Sequence, residues 1–325
     1  MNHLQFKSNN KVYFDTRNSL IHPMLIYSQC FLAAYVVFIQ HDLVKNAVAE
    51  PLLYMVLRLF LILLVVFVFA YCTHKIKIPK RGACVLLLLF SFFTPFLFEV
   101  FLSKSLDCPA DSSCANNYSK IVKYNLIPIV ATFLAVLIKI ERFTPLKIIG
   151  IVLSALATLI PLLWGLMSPY TADPWTLPDY FNMLQCVAAG LGLVCGRILL
   201  ANFKMGVVNT IFWSYLIASA YTALYLLLYP PDGDRFLSSL KNLGSIHRYL
   251  GILYFLALLL LFKDLTITWS NKHAEVSKVS FYSSLQPICM AIFYSYFTDD
   301  SHISTVHLVA SAFALLGYII IFSQK

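Results

Sequence analysis

Ten runs of apolar residues follow one another along this chain, with short polar connections between them. A helix needs roughly 20 mostly apolar residues to cross a bilayer, so each run is long enough to span one. The runs are too long for barrel strands of about ten residues, and a helix pairs its own backbone groups in lipid. The pattern therefore predicts an all-α membrane protein with ten transmembrane helices. The predicted helices cover residues 20–40, 52–72, 83–103, 120–140, 145–166, 179–201, 205–229, 249–270, 276–297 and 304–323.

The composition also indicates lipid rather than water as the surroundings. Charged residues make up 12% and hydrophobic residues 60% of the chain, against roughly 25% and 45 to 50% in a typical soluble protein. Ten helices use most of the 325 residues, which leaves no room for a sizeable soluble domain. The formal charge of +9 is spread over short loops. Because no basic cluster forms, we expect no nucleic-acid partner.

The Lys and Arg residues predict how the chain crosses the membrane. In an alternating path through ten helices, 15 of them fall on the side of the N-terminus and six in the loops on the opposite side. Basic residues concentrate on the cytoplasmic side of membrane proteins. We therefore expect both termini in the cytoplasm, with residues 1–19 as a polar cytoplasmic segment. The pattern leaves open whether the membrane is the plasma membrane or an internal one.

An internal repeat recurs at an offset of 159 residues. Pro128 inside the fourth run is followed by Glu141 where that helix ends, and Pro287 inside the ninth run is followed by Asp300 at the equivalent place. Five helices is an odd number, so the second half must enter the membrane from the opposite side. The repeat predicts two inverted five-helix halves, an architecture that many secondary transporters use. The alternative is two unrelated prolines that match by chance.

Charged residues inside the apolar runs are the first candidates for a functional site, because each costs roughly 2.5 to 3.5 kcal/mol to place in a bilayer. Lys263 and Asp264 lie well inside the eighth run. Neighbours on a helix point about 100° apart, so we expect at most one of them to face a central cavity squarely. Lys263 would bind an anionic group and Asp264 would carry a coupling proton. The alternatives are a pair satisfied against another helix, or a Lys263 that reaches the interface.

Arg58 and Glu99 are two further charges within the runs. Arg58 lies in the second run, where it would either line the cavity or bridge two helices. Glu99 is near the predicted outer end of the third run, and solvation is the simplest account of it.

Polar residues that precede the two repeat prolines complete the predicted binding site. Matching polar patches in inverted repeats are typical of a site near the middle of the membrane. Two residues of the seventh run would add hydrogen bonds and stacking, although such residues also hold helices together. The full set of candidates for the cavity is Arg58, Lys123, Tyr124, Asn125, Asn209, Trp213, Lys263, Asp264, Tyr282, Ser283 and Gln286.

No sequence motif indicates an enzyme, a metal site or a cofactor. The eight histidines are scattered, and no HExxH, GxSxG, Walker or GxGxxG pattern stands in a suitable setting. Cys108 and Cys114 share one predicted external loop, where an oxidising compartment would let them pair. That loop offers too few ligands for a metal. The expected partners are therefore the lipid bilayer, a small-molecule solute and a coupling proton.

The repeat resembles a known family. The order Pro, acid and Gly appears as Pro128, Glu141 and Gly150 and again as Pro287, Asp300 and Gly317. This order, with EPLLYMVLRLFLILLV in the second run and YSSLQP in the ninth, is similar to the paired domains of the drug/metabolite transporter superfamily, closest to its EamA-like branch. Two features differ, since Asp300 replaces the usual Glu and a Cys-containing loop separates helices 3 and 4.

The resemblance implies a secondary transporter that moves a small organic metabolite, such as an amino acid, by alternating access. Its two repeats would be residues 20–170 and 171–325. One alternative is a nucleotide-sugar or phosphate-ester transporter of an internal membrane, in which Arg58, Lys123 and Lys263 would hold phosphate. A second alternative, from another class, is a membrane scaffold that transports nothing.

Overall fold

The regular elements of the computed structural model are helices throughout the part of the chain that it describes. That part comprises residues 17–38, 51–73, 76–106, 126–167, 177–230, 247–286, 288–289, 292–293 and 305–322. Its helices are α1 (Arg17–Phe38), α2 (Pro51–Cys72), α3 (81–106), α4 (Leu126–Leu137), α5 (Pro145–Met167), α6 (Leu177–Ala201), α7 (Val207–Leu228), α8 (His247–His273), α9 (276–286) and α10 (Thr305–Phe322). The prediction of an all-α protein is confirmed.

Each of these helices overlaps one of the predicted apolar runs. Within the described residues, four are long and apolar enough by themselves to cross a bilayer, namely Met55–Cys72, Arg81–Ser105, Tyr180–Ala201 and Val207–Leu228. Four shorter helices are also apolar: Ile21–Ala34, Leu126–Leu137, Pro145–Ile160 and Val309–Ile321. Large apolar side chains such as Phe60, Phe133 and Leu227 are exposed on the outer faces, as expected for a surface in contact with lipid.

α3 is interrupted by a wider turn. Its α-helical parts, Arg81–Ser91 and Phe98–Leu106, flank a π-helical segment at Phe92–Leu97. Pro95 lies in this segment, has no N–H to donate, and its ring would clash with the preceding turn of a regular helix. A π turn lets the helix continue past such a residue, and such turns are frequent at functional sites.

Two glycines allow α5 and α10 to approach closely. A Cβ atom added at Gly317 would lie 3.3 Å from the carbonyl oxygen of Gly150. One added at Gly150 would lie 2.7 Å from Cγ1 of Ile321 and 3.2 Å from Cζ of Phe281. Larger side chains do not fit there, so the glycines allow the close packing of these two helices, as small residues commonly do in membranes.

The other helices pack mainly across the two halves of the chain. α1 packs against α8 and α3 against α6, while α2 contacts α7 and α4 contacts α9. The largest cluster of buried apolar side chains takes residues from α1, α2, α3, α4, α6, α7 and α8. This arrangement surrounds a cavity near the middle of the bundle.

Candidate functional site

A central cavity is lined by seven helices from both halves of the chain. Its volume, measured as the space open to the centre of a water-sized sphere, is about 100 Å³. One water needs roughly 10 to 15 Å³ on that measure, so the cavity has room for several waters or a small solute. The polar and charged residues that line it are Gln29, Thr94, Glu99, Ser214, Tyr215, Lys263, Asp264, Thr268, Asn271, Ser280, Ser283 and Gln286.

Lys263 and Asp264 both line this cavity, although we expected at most one of them to face it. The long Lys263 side chain reaches back to its neighbour, and its Nζ lies 2.9 Å from Oδ1 of Asp264. The same Nζ lies 5.3 Å from the centre of the Phe98 ring, within range of a cation–π contact. The Tyr215 hydroxyl on α7 donates a hydrogen bond to the other carboxylate oxygen of Asp264. Asp264 is therefore held from two sides.

Arg58 and Glu99 form a second ion pair beside the first. Arg58 Nη2 on α2 contacts Oε2 of Glu99 on α3, and the two residues are 1% and 7% exposed. Glu99 lines the cavity, whereas Arg58 does not belong to the lining and lies behind it. Solvation at an outer interface, our sequence-based account of Glu99, is therefore wrong. The segment after Pro95 points Glu99 inward, where Arg58 compensates its charge.

Several buried polar atoms in the cavity wall have no hydrogen-bond partner among the described residues. They are Oε1 of Gln29 on α1, Oγ1 of Thr94 on α3 and Oδ1 of Asn271 on α8. An unsatisfied buried polar atom costs about 1 to 3 kcal/mol. Because these residues line the cavity, water or a bound solute is the natural partner for these atoms.

The two halves of the chain meet at one end of the bundle through Glu141. Two residues after α4, Lys139 lies in the left-handed region (φ 61°), in the turn that leads to Glu141. Oε1 of Glu141 accepts a hydrogen bond from the Ser277 amide in the first turn of α9, at 3.1 Å. A carboxylate at a helix N-terminus is favourable because unpaired amides and the helix dipole point at it.

Lys147 completes this contact between the halves. Its Nζ lies 2.8 Å from Oε2 of Glu141 and 3.2 Å from Oε2 of Glu275, and the residue is 1% exposed. The Glu141 side chain thus connects the end of α4 with α5 and α9. Its position in the sequence repeat did not predict these contacts.

The remaining predicted candidates lie in different places. Ser283 and Gln286 line the cavity, whereas Tyr282 is fully buried behind them, with its hydroxyl against Nδ1 of His22 and its ring against that of Tyr318. Lys123, Tyr124, Asn125, Pro287 and Asp300, and the loop with Cys108 and Cys114, fall outside the described residues.

Asn209 and Trp213 do not belong to the cavity lining. Oδ1 of Asn209 accepts a hydrogen bond from the Lys77 amide at 2.9 Å, and Nε1 of Trp213 donates to the Lys77 carbonyl at 3.0 Å. They bind the segment before α3 to α7, so the structure favours the alternative in which they hold segments together. Sequence analysis missed Tyr215 and Gln29, because a single polar group in an apolar run carries no periodic signal.

Comparison with known proteins finds a matching family model and a solved structure with a similar fold. The model of the EamA-like transporter family matches residues 177–323. One solved crystal structure, described only as that of a protein, is similar over 95% of this chain and 99% of its own, with a TM-score of 0.59 and 15% identity. At that identity the likeness concerns the fold alone. No curated protein sequence matches. Residues 177–323 therefore match the EamA-like transporter family, which belongs to the drug/metabolite transporter superfamily.

Proposed function

We propose that this protein is a secondary transporter that carries a small organic solute through the central cavity by alternating access. The observation that carries the proposal is the cavity itself, which residues of both halves line and which holds compensated charges and unsatisfied polar atoms. Secondary transporters bind their solute at such a place, near the middle of the membrane between two repeats.

The packing of the helices supports two inverted halves, residues 20–170 and 171–325. In an inverted repeat, α1 corresponds to α6 and α3 corresponds to α8. The contact of α1 with α8 therefore corresponds to the contact of α6 with α3, and both are present. The same correspondence maps the α2–α7, α4–α9 and α5–α10 contacts onto themselves. Gly150 and Gly317, the glycines that follow the acid in each half, meet each other as residues near a twofold axis would.

The contact around Glu141 would close the cytoplasmic end of the cavity. The distribution of basic residues predicts that this end, with Lys139 and Lys147 near it, faces the cytoplasm. Glu141 and Lys147 belong to the first half, and Ser277 and Glu275 to the second. Opening toward the cytoplasm would separate these groups, whereas opening toward the other side would leave them in place.

The charges of the cavity favour a neutral or zwitterionic solute, such as an amino acid. Among the described lining residues, Lys263 is compensated by Asp264, and Glu99 is compensated by Arg58. A phosphate ester brings about −1.5 to −2 charges at neutral pH and needs an excess of Arg or Lys. A zwitterion adds no net charge. The alternative of a phosphate-ester transporter is therefore less well supported.

Solute-dependent thermal stabilisation tests the proposal. The purified protein in detergent would be heated with amino acids, neutral sugars, phosphate esters or nucleotide sugars, because a ligand at 100 times its Kd stabilises by about 2.7 kcal/mol. We expect a response to a neutral or zwitterionic solute that is lost in Asp264→Asn and kept in Glu275→Gln, which lies outside the cavity lining. A response to phosphate esters alone would support the alternative transporter. A scaffold would respond to nothing.

We also propose Asp264 as the site of the coupling proton. It is a carboxylate that lines the cavity and accepts a hydrogen bond from Tyr215. Lys263 forms an ion pair with it and so balances the charge of its ionised form. Uptake into proteoliposomes would be measured with and without an imposed pH gradient. We expect Asp264→Asn to make any remaining uptake independent of the gradient. Uptake of unchanged pH dependence in this variant would assign the proton elsewhere.

A further inference from the structure

Two free cysteines meet where α1 packs against the residues that follow α9. The sulfur atoms of Cys30 and Cys289 lie 3.3 Å apart, and both side chains are half-buried. A disulfide bond measures about 2.05 Å between its sulfurs, so a small approach would suffice to form one. The residues are 259 positions apart, and only the tertiary structure brings them together.

A second contact on the same boundary holds the pair in register. His22 precedes Cys30 by eight residues and contacts Tyr282, which precedes Cys289 by seven. Eight residues of α-helix rise about 12 Å. The two contacts are thus about 12 Å apart along α1 and seven residues apart on the facing segment. The two helices therefore run side by side in one direction over this length.

The boundary between α1 and α9 is also part of the cavity wall. Gln29, next to Cys30, lines the cavity from α1, and Ser283 and Gln286 line it from the turns of α9 before Cys289. Cys289 itself packs against the main apolar core. A covalent bond between the two sulfurs would therefore tie the first half of the chain to the second beside the cavity.

We propose that Cys30 and Cys289 form a redox-active dithiol, which a small uncharged disulfide converts into an intramolecular crosslink. The first thiol attacks one sulfur of the reagent, forms a mixed disulfide and releases one molecule of reagent thiol. The second thiol then attacks the protein sulfur of that mixed disulfide and releases the other. Two cysteine thiols are oxidised and one reagent disulfide is reduced to two thiols. The reagent must be apolar, because it reaches the thiols among apolar side chains.

The crosslink has a consequence for transport, which rests on the proposed function. If the halves rearrange around the cavity, a bond between α1 and α9 keeps this wall closed in the arrangement of the structure. Uptake should then fall in proportion to the fraction of molecules that are crosslinked, and a reducing agent should restore it.

Peptide mapping after treatment with dithiodipyridine tests the crosslink without any reference to transport. We expect a peptide pair joined through Cys30 and Cys289 that carries no pyridyl label, whereas the exposed Cys72 keeps its label. In Cys289→Ser, Cys30 should keep a label as well, since no second thiol displaces it. A wild-type protein in which Cys30 stays labelled, or in which neither thiol reacts while Cys72 is labelled, would overturn the proposal.

Uptake by the same proteoliposomes then tests the consequence. Oxidation should inhibit the wild type and spare Cys30→Ser and Cys289→Ser, so a loss of uptake in these variants too would refute the proposed effect on transport. If no form of the protein takes up solute, the proposed function fails, while the mapped crosslink still decides whether the dithiol exists.

Discussion

Removing one charge of the Arg58–Glu99 pair should destabilise the protein far more than removing both. In Arg58→Met, Glu99 stays buried at 7% exposure without its counter-charge. Breaking a buried ion pair in this way costs about 3 to 5 kcal/mol, whereas replacing both partners by uncharged residues is often neutral. We expect that cost for Arg58→Met and for Glu99→Gln, and a smaller one for the double variant.

The magnitude makes the effect easy to measure. At about 1.4 kcal/mol for each factor of ten, a cost of 3 to 5 kcal/mol lowers the ratio of folded to unfolded protein by roughly a hundredfold to several thousandfold. Unfolding of the purified variants in mixed micelles with increasing dodecyl sulfate, followed by tryptophan fluorescence, gives the four free energies of a double-mutant cycle. Glu275→Gln serves as the control, because this carboxylate is 47% exposed.

Additive costs would refute the reasoning. If the double variant loses the sum of what the two single variants lose, Arg58 and Glu99 are not energetically coupled. The same double variant also separates structure from binding. We expect it to keep the solute-dependent stabilisation if Glu99 only pairs with Arg58, and to lose it if Glu99 also contacts the solute.

Three further substitutions, with Gly206→Ala as a control for the first, test other contacts of the structure by the same unfolding measurement. Gly150→Leu should cost about 1 to 3 kcal/mol or more, because its side chain would push α5 away from α10; Gly206→Ala, where an added Cβ meets nothing nearer than 3.9 Å, should cost about 1 kcal/mol or less. Lys147→Met should cost about 3 to 5 kcal/mol because the buried Glu141 side chain loses the cation 2.8 Å from it, and a cost below 1 kcal/mol would show that Glu141 does not depend on this ion pair. Tyr215→Phe should cost about 1.5 to 3 kcal/mol, the usual contribution of a hydrogen bond to a charged group, and an unchanged stability would contradict the contact with Asp264.

The positions of the helices could be predicted from the sequence because each apolar run must pair its own backbone groups in lipid. The second run, predicted at 52–72, is a helix at Pro51–Cys72, and the seventh, predicted at 205–229, is a helix at Val207–Leu228. The π turn around Pro95 was missed, since a long apolar run signals a helix but not the turn by which it passes a proline.

The lining of the cavity could be predicted only in part. Lys263 and Asp264, which line it, were candidates because charges are rare in the runs, and Ser283 and Gln286 because they lie near a repeat proline. The direction in which a side chain points depends on the rotation of its helix against its neighbours, so Glu99 was misplaced.

The sequence by itself determined that this protein is helical and suited to a membrane, because the solvation of each run depends on its own residues. Only the tertiary structure decided which distant residues meet, as Arg58 meets Glu99, Cys30 meets Cys289 and Gly150 meets Gly317. Lipid supplies no hydrophobic drive between helices that are apolar all round. Their partners are therefore selected by close packing and by buried polar contacts, which depend on two segments at once.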